Sequence, residues 1–198
     1  MRPYQLMPIP GPIIVTGCQR SGTMLASQII AHGLGYGFLE EFDILPFSNT
    51  LNILHALNEA GKKDVVIQAP FVIQKYRHIL FAAPEAHFVG MVRPRDEILE
   101  SMRRIEWCKN DFDNWEEYIE QHVDKMIALW EQLKDEVAPS NWTELHYEDL
   151  KDHPFFVDKK LRKNFTVKQW HIDKPCNFKT WSDNKKCIED RMKENIDT

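Results

Sequence analysis

Two groups of residues, far apart in the sequence, have the types and spacing to handle an anion. The first is Gly17-Cys18-Gln19-Arg20-Ser21-Gly22-Thr23, a short polar loop between the β-branched run Ile13-Ile14-Val15-Thr16 and a helical segment beginning at Met24. Such a junction binds anions because loop amides and the N–H groups of a helix start point at the same place. Glycine at 17 and 22 admits positive φ and close backbone approach to a ligand. Arg20 adds a cation inside the loop, which is hard to explain structurally without an anion beside it. The plain alternative is a glycine-containing turn that holds nothing. The second group is Arg93-Pro94-Arg95-Asp96, with Ser101 eight positions after Arg93. Ser101 then lies about two turns into a helix. Arg93 and Ser101 face one anion only if the Arg93 side chain folds back along that helix start. An arginine paired with a nearby carboxylate and a solvated serine is the alternative there.

The spacing of Gly17 and Gly22 nearly fits the phosphate-loop pattern of nucleotide-binding proteins, but Thr23 stands where the phosphate-gripping lysine belongs. A kinase neutralises a triphosphate with that lysine and with Mg²⁺ held by Ser/Thr and an Asp. This chain has no lysine in the loop, and no apolar strand ends in a clear metal-binding Asp.

The elements that must position these residues alternate. Strands are expected at Ile13–Thr16, Tyr36–Leu39, Val65–Gln68, His87–Val92 and Asn141–His146. Helices are expected from Met24 to about His32, over Pro46–Ala60, over Phe71–Ala82, and from Asp96 to about Trp107. Trp115, Tyr118, Ile119, Val123, Met126, Ile127, Trp130 and Leu133 recur at three or four positions and predict a long amphipathic helix. Strand–helix alternation implies a parallel sheet covered on both faces, with ligands at the carboxyl ends of the strands. The Gly17 loop, Glu40, Gln68 and Arg93 all stand at such ends.

Composition bounds the partners. With 25 Lys and Arg against 30 Asp and Glu, the net charge is −5, so the whole chain is no polyanion binder and nucleic acid is not expected. Any anion site is a local arrangement. Cys18, Cys108, Cys176 and Cys187 show no metal spacing and read as reduced thiols. The segment 1–12 lacks the apolar core of a signal peptide, and no stretch has membrane-span length. A cytoplasmic protein with no membrane partner is expected. The length of 198 residues fits one domain, with its core over about 12–165.

Taken together, Gly-x-x-Arg-Ser-Gly-Thr after a strand, Arg-Pro-Arg-Asp after a later strand with its serine at +8, and Tyr147-Glu148-Asp149-Leu150 resemble the sulfotransferases that use 3′-phosphoadenosine 5′-phosphosulfate. The Arg-Ser-Gly-Thr form is closest to the branch that sulfates protein tyrosines. The resemblance covers roughly residues 12–165. It implies an α/β, P-loop NTPase-like three-layer sandwich with a central parallel sheet of about five strands. It implies that Gln19, Arg20, Ser21, Gly22, Thr23 and Met24 hold the 5′-phosphosulfate, that Arg93 and Ser101 hold the 3′-phosphate, and that the Tyr147–Leu150 segment is structural. No metal is implied. In the tyrosine-sulfating branch a Glu-Glu pair supplies the base, and Pro46 recurs five residues after its second member. By that likeness Glu41 accepts the acceptor's proton, and Arg20 and Glu41 are the catalytic pair. A solvated acidic loop, or a cap for the Pro46 helix, is the alternative for Glu41.

The sequence also departs from that family. Gln68-Ala69-Pro70 stands where many members carry a lysine or histidine, unless Lys75 reaches in. The eight histidines show no metal spacing and read mostly as surface or packing residues. Trp170, Lys179 and Trp181 are candidates for a lid over the nucleotide. The expected reaction is sulfuryl transfer to an acceptor hydroxyl or amine, since the smaller charge on a sulfuryl group is manageable by an arginine and backbone amides through preorganised electrostatics. A phosphotransferase acting on a nucleotide or small metabolite, or a non-catalytic nucleotide-binding relative, are the other readings. Acceptor loops are expected to be trimmed or supplied by a partner subunit, a homodimer being one option.

Overall fold

The computed structural model describes residues 12–40, 64–150 and 153–157. Within them five strands, β1 (Ile13–Thr16), β2 (Gly37–Leu39), β3 (Val65–Gln68), β4 (His87–Val92) and β5 (Trp142–His146), form one sheet in the order β2-β3-β1-β4-β5. Every neighbouring pair is parallel. β1 and β3 are buried along their whole length, the burden that short runs of Ile and Val meet in a parallel sheet covered on both faces.

The helices are α1 (Thr23–Leu34), α2 (Tyr76–Ala82), α3 (Arg95–Arg104) and α4 (Trp115–Glu136), with a last turn at Pro154–Val157. The pleat splits the strand residues between two cores. Ile13, Val15, Val66 and Met91 share one core with Ala26 and Ile30 of α1, while Ile14, Ile67 and Phe88 belong to the other, which includes Ile119 and Met126 of α4 and extends to Ile98 and Met102 of α3. This is the expected three-layer α/β architecture. Among the described residues no helix is long and apolar enough to cross a membrane.

Several expected boundaries shift. α1 runs through Gly33 to Leu34, because only Gly35 takes the left-handed conformation that ends a helix (φ 69°). The expected helix over Phe71–Ala82 is a 3-10 turn, Pro70–Lys75, followed by α2, since Pro70 opens the turn without a donor N–H. α3 stops at Arg104 rather than near Trp107. The Trp107 N–H folds back to the Met102 carbonyl (3.0 Å), and Glu106 and Cys108 have positive φ. The helix expected over Pro46–Ala60 and the lid candidates Trp170, Lys179 and Trp181 lie outside the described residues.

Sheet order and helix direction position the site. β1 lies between β3 and β4, so the winding reverses at β1 and a crevice opens at its carboxyl end. Thr16 pairs in register with Gly90, leaving Met91 and Val92 to continue past the end of β1. Arg95 of α3 pairs with Asp124 and Arg103 with Glu116, so α3 runs antiparallel to α4. α4 leads back toward β5, whose Trp142 pairs with Phe88 near the start of β4. Therefore α3 continues onward from the end of β4 instead of descending along the sheet, and its second turn stands beside the β1 loop.

Candidate active site

Residues 17–22 make a tight turn with three positive-φ positions: Gly17 (152°), Arg20 (70°) and Gly22 (100°). The Ser21 N–H closes it onto the Cys18 carbonyl (3.1 Å), and the Ala26 N–H bonds the Gly22 carbonyl (3.0 Å) as α1 begins. The turn is pressed between two neighbours. A Cβ on Gly17 would lie 2.9 Å from Ser21 Oγ and 3.0 Å from Met91 Cβ, and one on Gly22 would lie 2.8 Å from Tyr147 Cδ2. Both glycines are therefore required for space as well as for φ.

Three features of this cradle suit an anion. α1 starts with no side-chain cap and no acidic residue in its first turn, so its N-terminal field is uncompensated. Ser21 is 1% exposed, and its Oγ is a buried hydroxyl with no hydrogen-bond partner among the described residues. Arginines from two directions border the loop. These residues fit a nucleotide phosphosulfate: an orphaned hydroxyl, a backbone cradle and cations, with no carboxylate in the turn.

The two sequence groups meet. Arg20 Nε donates to Ser101 Oγ at 3.3 Å, and Arg93 Nη1 donates to the Arg20 carbonyl at 2.8 Å. Arg93 does fold back along the helix start, where its Nε also bonds Glu97 (3.2 Å) and its guanidinium lies over the Tyr147 ring (4.0 Å). It thus holds the strained peptide of Arg20 in place. The Tyr147–Leu150 segment is a 3-10 turn whose first ring fills the space that Gly22 leaves open. Ser101 is buried rather than solvated. Arg20, expected as an enclosed cation, has an exposed side chain, because the left-handed turn carries it outward over α3. Partial burial, then Arg104, then Arg93 lower its pKa.

Other loop residues have settled roles. Thr23 is buried, and its Oγ1 accepts from Gln68 Nε2 at 3.3 Å. Gln68, the departure from the family pattern, is buried at the end of β3 and ties that strand to the start of α1. Lys75 is exposed at the end of its 3-10 turn. Met24 packs its side chain on the α1 core, leaving only its amide for the loop. Cys18 is buried, and that burial pushes its thiol up to about 12, away from the reactive thiolate. Glu41 lies outside the described residues. The preceding strand β2 is two strands from β1, about 10 Å across the sheet.

Two contacts escape the sequence reading. His122 Nε2 donates to Gln19 Oε1 at 2.8 Å, so this histidine supports the loop from α4 instead of merely filling surface. Its ring packs near Trp107 (4.9 Å) and Tyr118 (5.9 Å); burial, then Lys125, lowers its pKa, favouring the neutral imidazole. Nothing in sequence pairs positions 19 and 122. Arg104, whose charge reaches Arg20, follows Ser101 by three residues, and that helical spacing was a usable signal.

A model described as the sulfotransferase family matches residues 48–168, more than half of the chain. The match contains Arg93, Ser101 and Tyr147–Leu150 but starts after the Gly17–Thr23 loop, so the loop geometry is a separate line of support. No curated protein matches the sequence significantly. Among solved structures the chain is similar to a sulfotransferase domain from the curacin biosynthetic pathway, with TM-score 0.53 and 15% identity over 79% of this chain and 74% of that one. It is also similar to shikimate kinase from Acinetobacter baumannii, with TM-score 0.52 and 18% identity over 68% and 82%. Gluconokinase from Sinorhizobium meliloti gives TM-score 0.50 and 20% identity over 71% and 84%. At these identities the structures establish a fold that kinases and a sulfotransferase share, the α/β P-loop NTPase-like fold. The family-model match separates the two, and the chain belongs to the sulfotransferase family.

Proposed function

We propose that this chain transfers a sulfuryl group from 3′-phosphoadenosine 5′-phosphosulfate to an acceptor hydroxyl or amine. The observation that carries the reading is the meeting of Arg20, Arg93 and Ser101 at one strand edge, from segments read separately as anion ligands. Family membership supports the reaction class. Bound at this edge, the donor supplies an activated sulfuryl group for in-line displacement by the acceptor. Ser21 Oγ and the amides at the start of α1 hold the 5′ side, with Gln19 braced by His122. Arg20 stabilises negative charge on the transferring group in a fixed rather than a reorganising environment. Arg93 and Ser101 hold the 3′-phosphate. Glu41 takes the proton from the acceptor.

Calorimetry without Mg²⁺ tests the donor. Adenosine 3′,5′-bisphosphate should bind more tightly than adenosine 5′-phosphate by on the order of 2–3 kcal/mol, the value of charge-assisted bonds to the extra phosphate. Equal affinities, or strict Mg²⁺ dependence, would refute the reading and favour a phosphotransferase. On a verified acceptor, Glu41→Gln should slow turnover by about 10²–10⁴-fold with bisphosphate affinity unchanged, and Glu40→Gln should do much less.

A further inference from the structure

Helix α3 carries two charged stripes. Arg95 and Arg103 face α4, where Arg95 meets Asp124 and Arg103 meets Glu116 and Glu120. Glu97, Ser101 and Arg104 follow the four-then-three spacing that shares one helix face. Two contacts identify that face as the one toward the loop: Glu97 bonds Arg93, and Ser101 accepts from Arg20. Arg104 continues the stripe nearly a turn beyond Ser101. Among the described residues Arg77, Arg93, Arg95 and Arg103 each pair with a carboxylate, whereas no carboxylate pairs with Arg20 or Arg104.

This distribution leaves a charge problem for the expected 3′-phosphate ligands. Ser101 is neutral, and Arg93 already faces Glu97 at 3.2 Å. That pair is close to neutral in sum. A phosphate monoester carries about −1.5 to −2 at neutral pH, so Arg93 and Ser101 alone recognise its shape without matching its charge.

We propose that Arg104 is a specificity-determining residue of the donor site, its guanidinium pairing with the phosphate monoester at the nucleotide 3′ position alongside Arg93 and Ser101. The inference rests on the donor reading above. It assigns to Arg104 the choice of a 3′-phosphorylated nucleotide over one with a free 3′ hydroxyl. It also accounts for two neighbouring arginines left without counter-ions among the described residues, because bound phosphate removes their mutual repulsion.

Calorimetry with adenosine 3′,5′-bisphosphate and adenosine 5′-phosphate tests it on the full chain. Arg104→Ala should weaken the bisphosphate by on the order of 10- to 100-fold and leave adenosine 5′-phosphate within about twofold. Arg104→Lys should recover part of the loss, as a point charge lacking the planar fork. Arg103→Ala, one residue away and facing α4, should bind both nucleotides like wild type. If wild type discriminates between the nucleotides and Arg104→Ala discriminates equally, the assignment of Arg104 is wrong while the donor reading stands. Equal weakening of both nucleotides also overturns it. Wild type that fails to discriminate overturns the donor reading and this inference together.

Discussion

On the side of α3 that meets α4, Arg95 and Arg103 lie 2.5–3.1 Å from Asp124, Glu116 and Glu120. On the side that meets the β1 loop, Arg20 and Arg104 have no carboxylate partner among the described residues, and Arg93 has one. The closed side is built from exposed ion pairs, which contribute little stability singly but fix how α3 is rotated against α4. On the open side partial burial first, and then the like charges of Arg104 and Arg93, lower the pKa of Arg20. Uncompensated charge set beside an uncapped helix start and the buried Ser21 hydroxyl suits the binding edge proposed above; compensated charge suits scaffolding.

The strongest way to break this contrast is to remove one arginine from each side. Arg20→Ala should lower transfer by about 10²–10³-fold, the usual loss when one preorganised donor to developing charge is deleted. Arg20→Lys should keep part of the rate, and Arg103→Ala should keep nearly all of it. Rates of radiolabelled sulfuryl transfer decide the matter. Comparable losses for Arg20→Ala and Arg103→Ala would erase the distinction between the two sides.

A smaller effect should follow from crowding the open side without touching its charge. Gly22→Ala places a methyl 2.8 Å from Tyr147 Cδ2 at φ 100°. Tyr147 has little freedom to yield, since Arg93 lies over its ring. Denaturant titration should register a loss of about 1–3 kcal/mol together with weaker bisphosphate binding. Gly35→Ala has a similar φ sign but nothing within 4 Å of the added Cβ. It should cost less and leave nucleotide binding alone. If the two variants behave alike, conformation rather than the Tyr147 contact controls position 22.

The least effect concerns the join between the sides, where His122 of α4 holds Gln19 of the loop. The folded chain lowers the His122 pKa from 6.5, through burial first and Lys125 second. The unfolded chain therefore binds the proton more readily. The stability this histidine provides is complete above pH 6.5 and is lost as pH falls through the lower folded value. His122→Gln keeps a donor for Gln19 and cannot titrate, so its melting temperature should fall less than that of wild type below pH 6.5. His87 and His153, also lowered mainly by burial, are present in both proteins and cancel in the difference. Parallel pH profiles would show that the Gln19 contact does not hold the neutral ring.

Much of this architecture is legible in the sequence because it is local. Ile13–Thr16, Val65–Gln68 and His87–Val92 read as strands, and the run from Trp115 reads as a helix, because the side-chain period follows directly from backbone geometry. The loop reads as a candidate anion cradle because glycines at 17 and 22 and the cation Arg20 stand between a strand and a helix start. Helix ends were less legible: Gly33 is tolerated inside α1, while Gly35 ends it. Glu41 lies outside the described residues, so its role rests on the resemblance alone.

From the sequence by itself came the five strands, the long helix, the glycine loop and the candidate ligands Arg20, Arg93 and Ser101. Tertiary structure alone decided that β3 and β4 flank β1, that α3 runs onward beside the loop, and that Arg93 grips the Arg20 peptide while His122 grips Gln19. It also decided which arginines are neutralised: Arg103 and Arg104 are adjacent and alike in sequence, yet among the described residues one meets two glutamates and the other none. The physical reason is that a residue's conformational preference acts through its own backbone, whereas its electrostatic role depends on which distant charges the fold brings within a few ångströms.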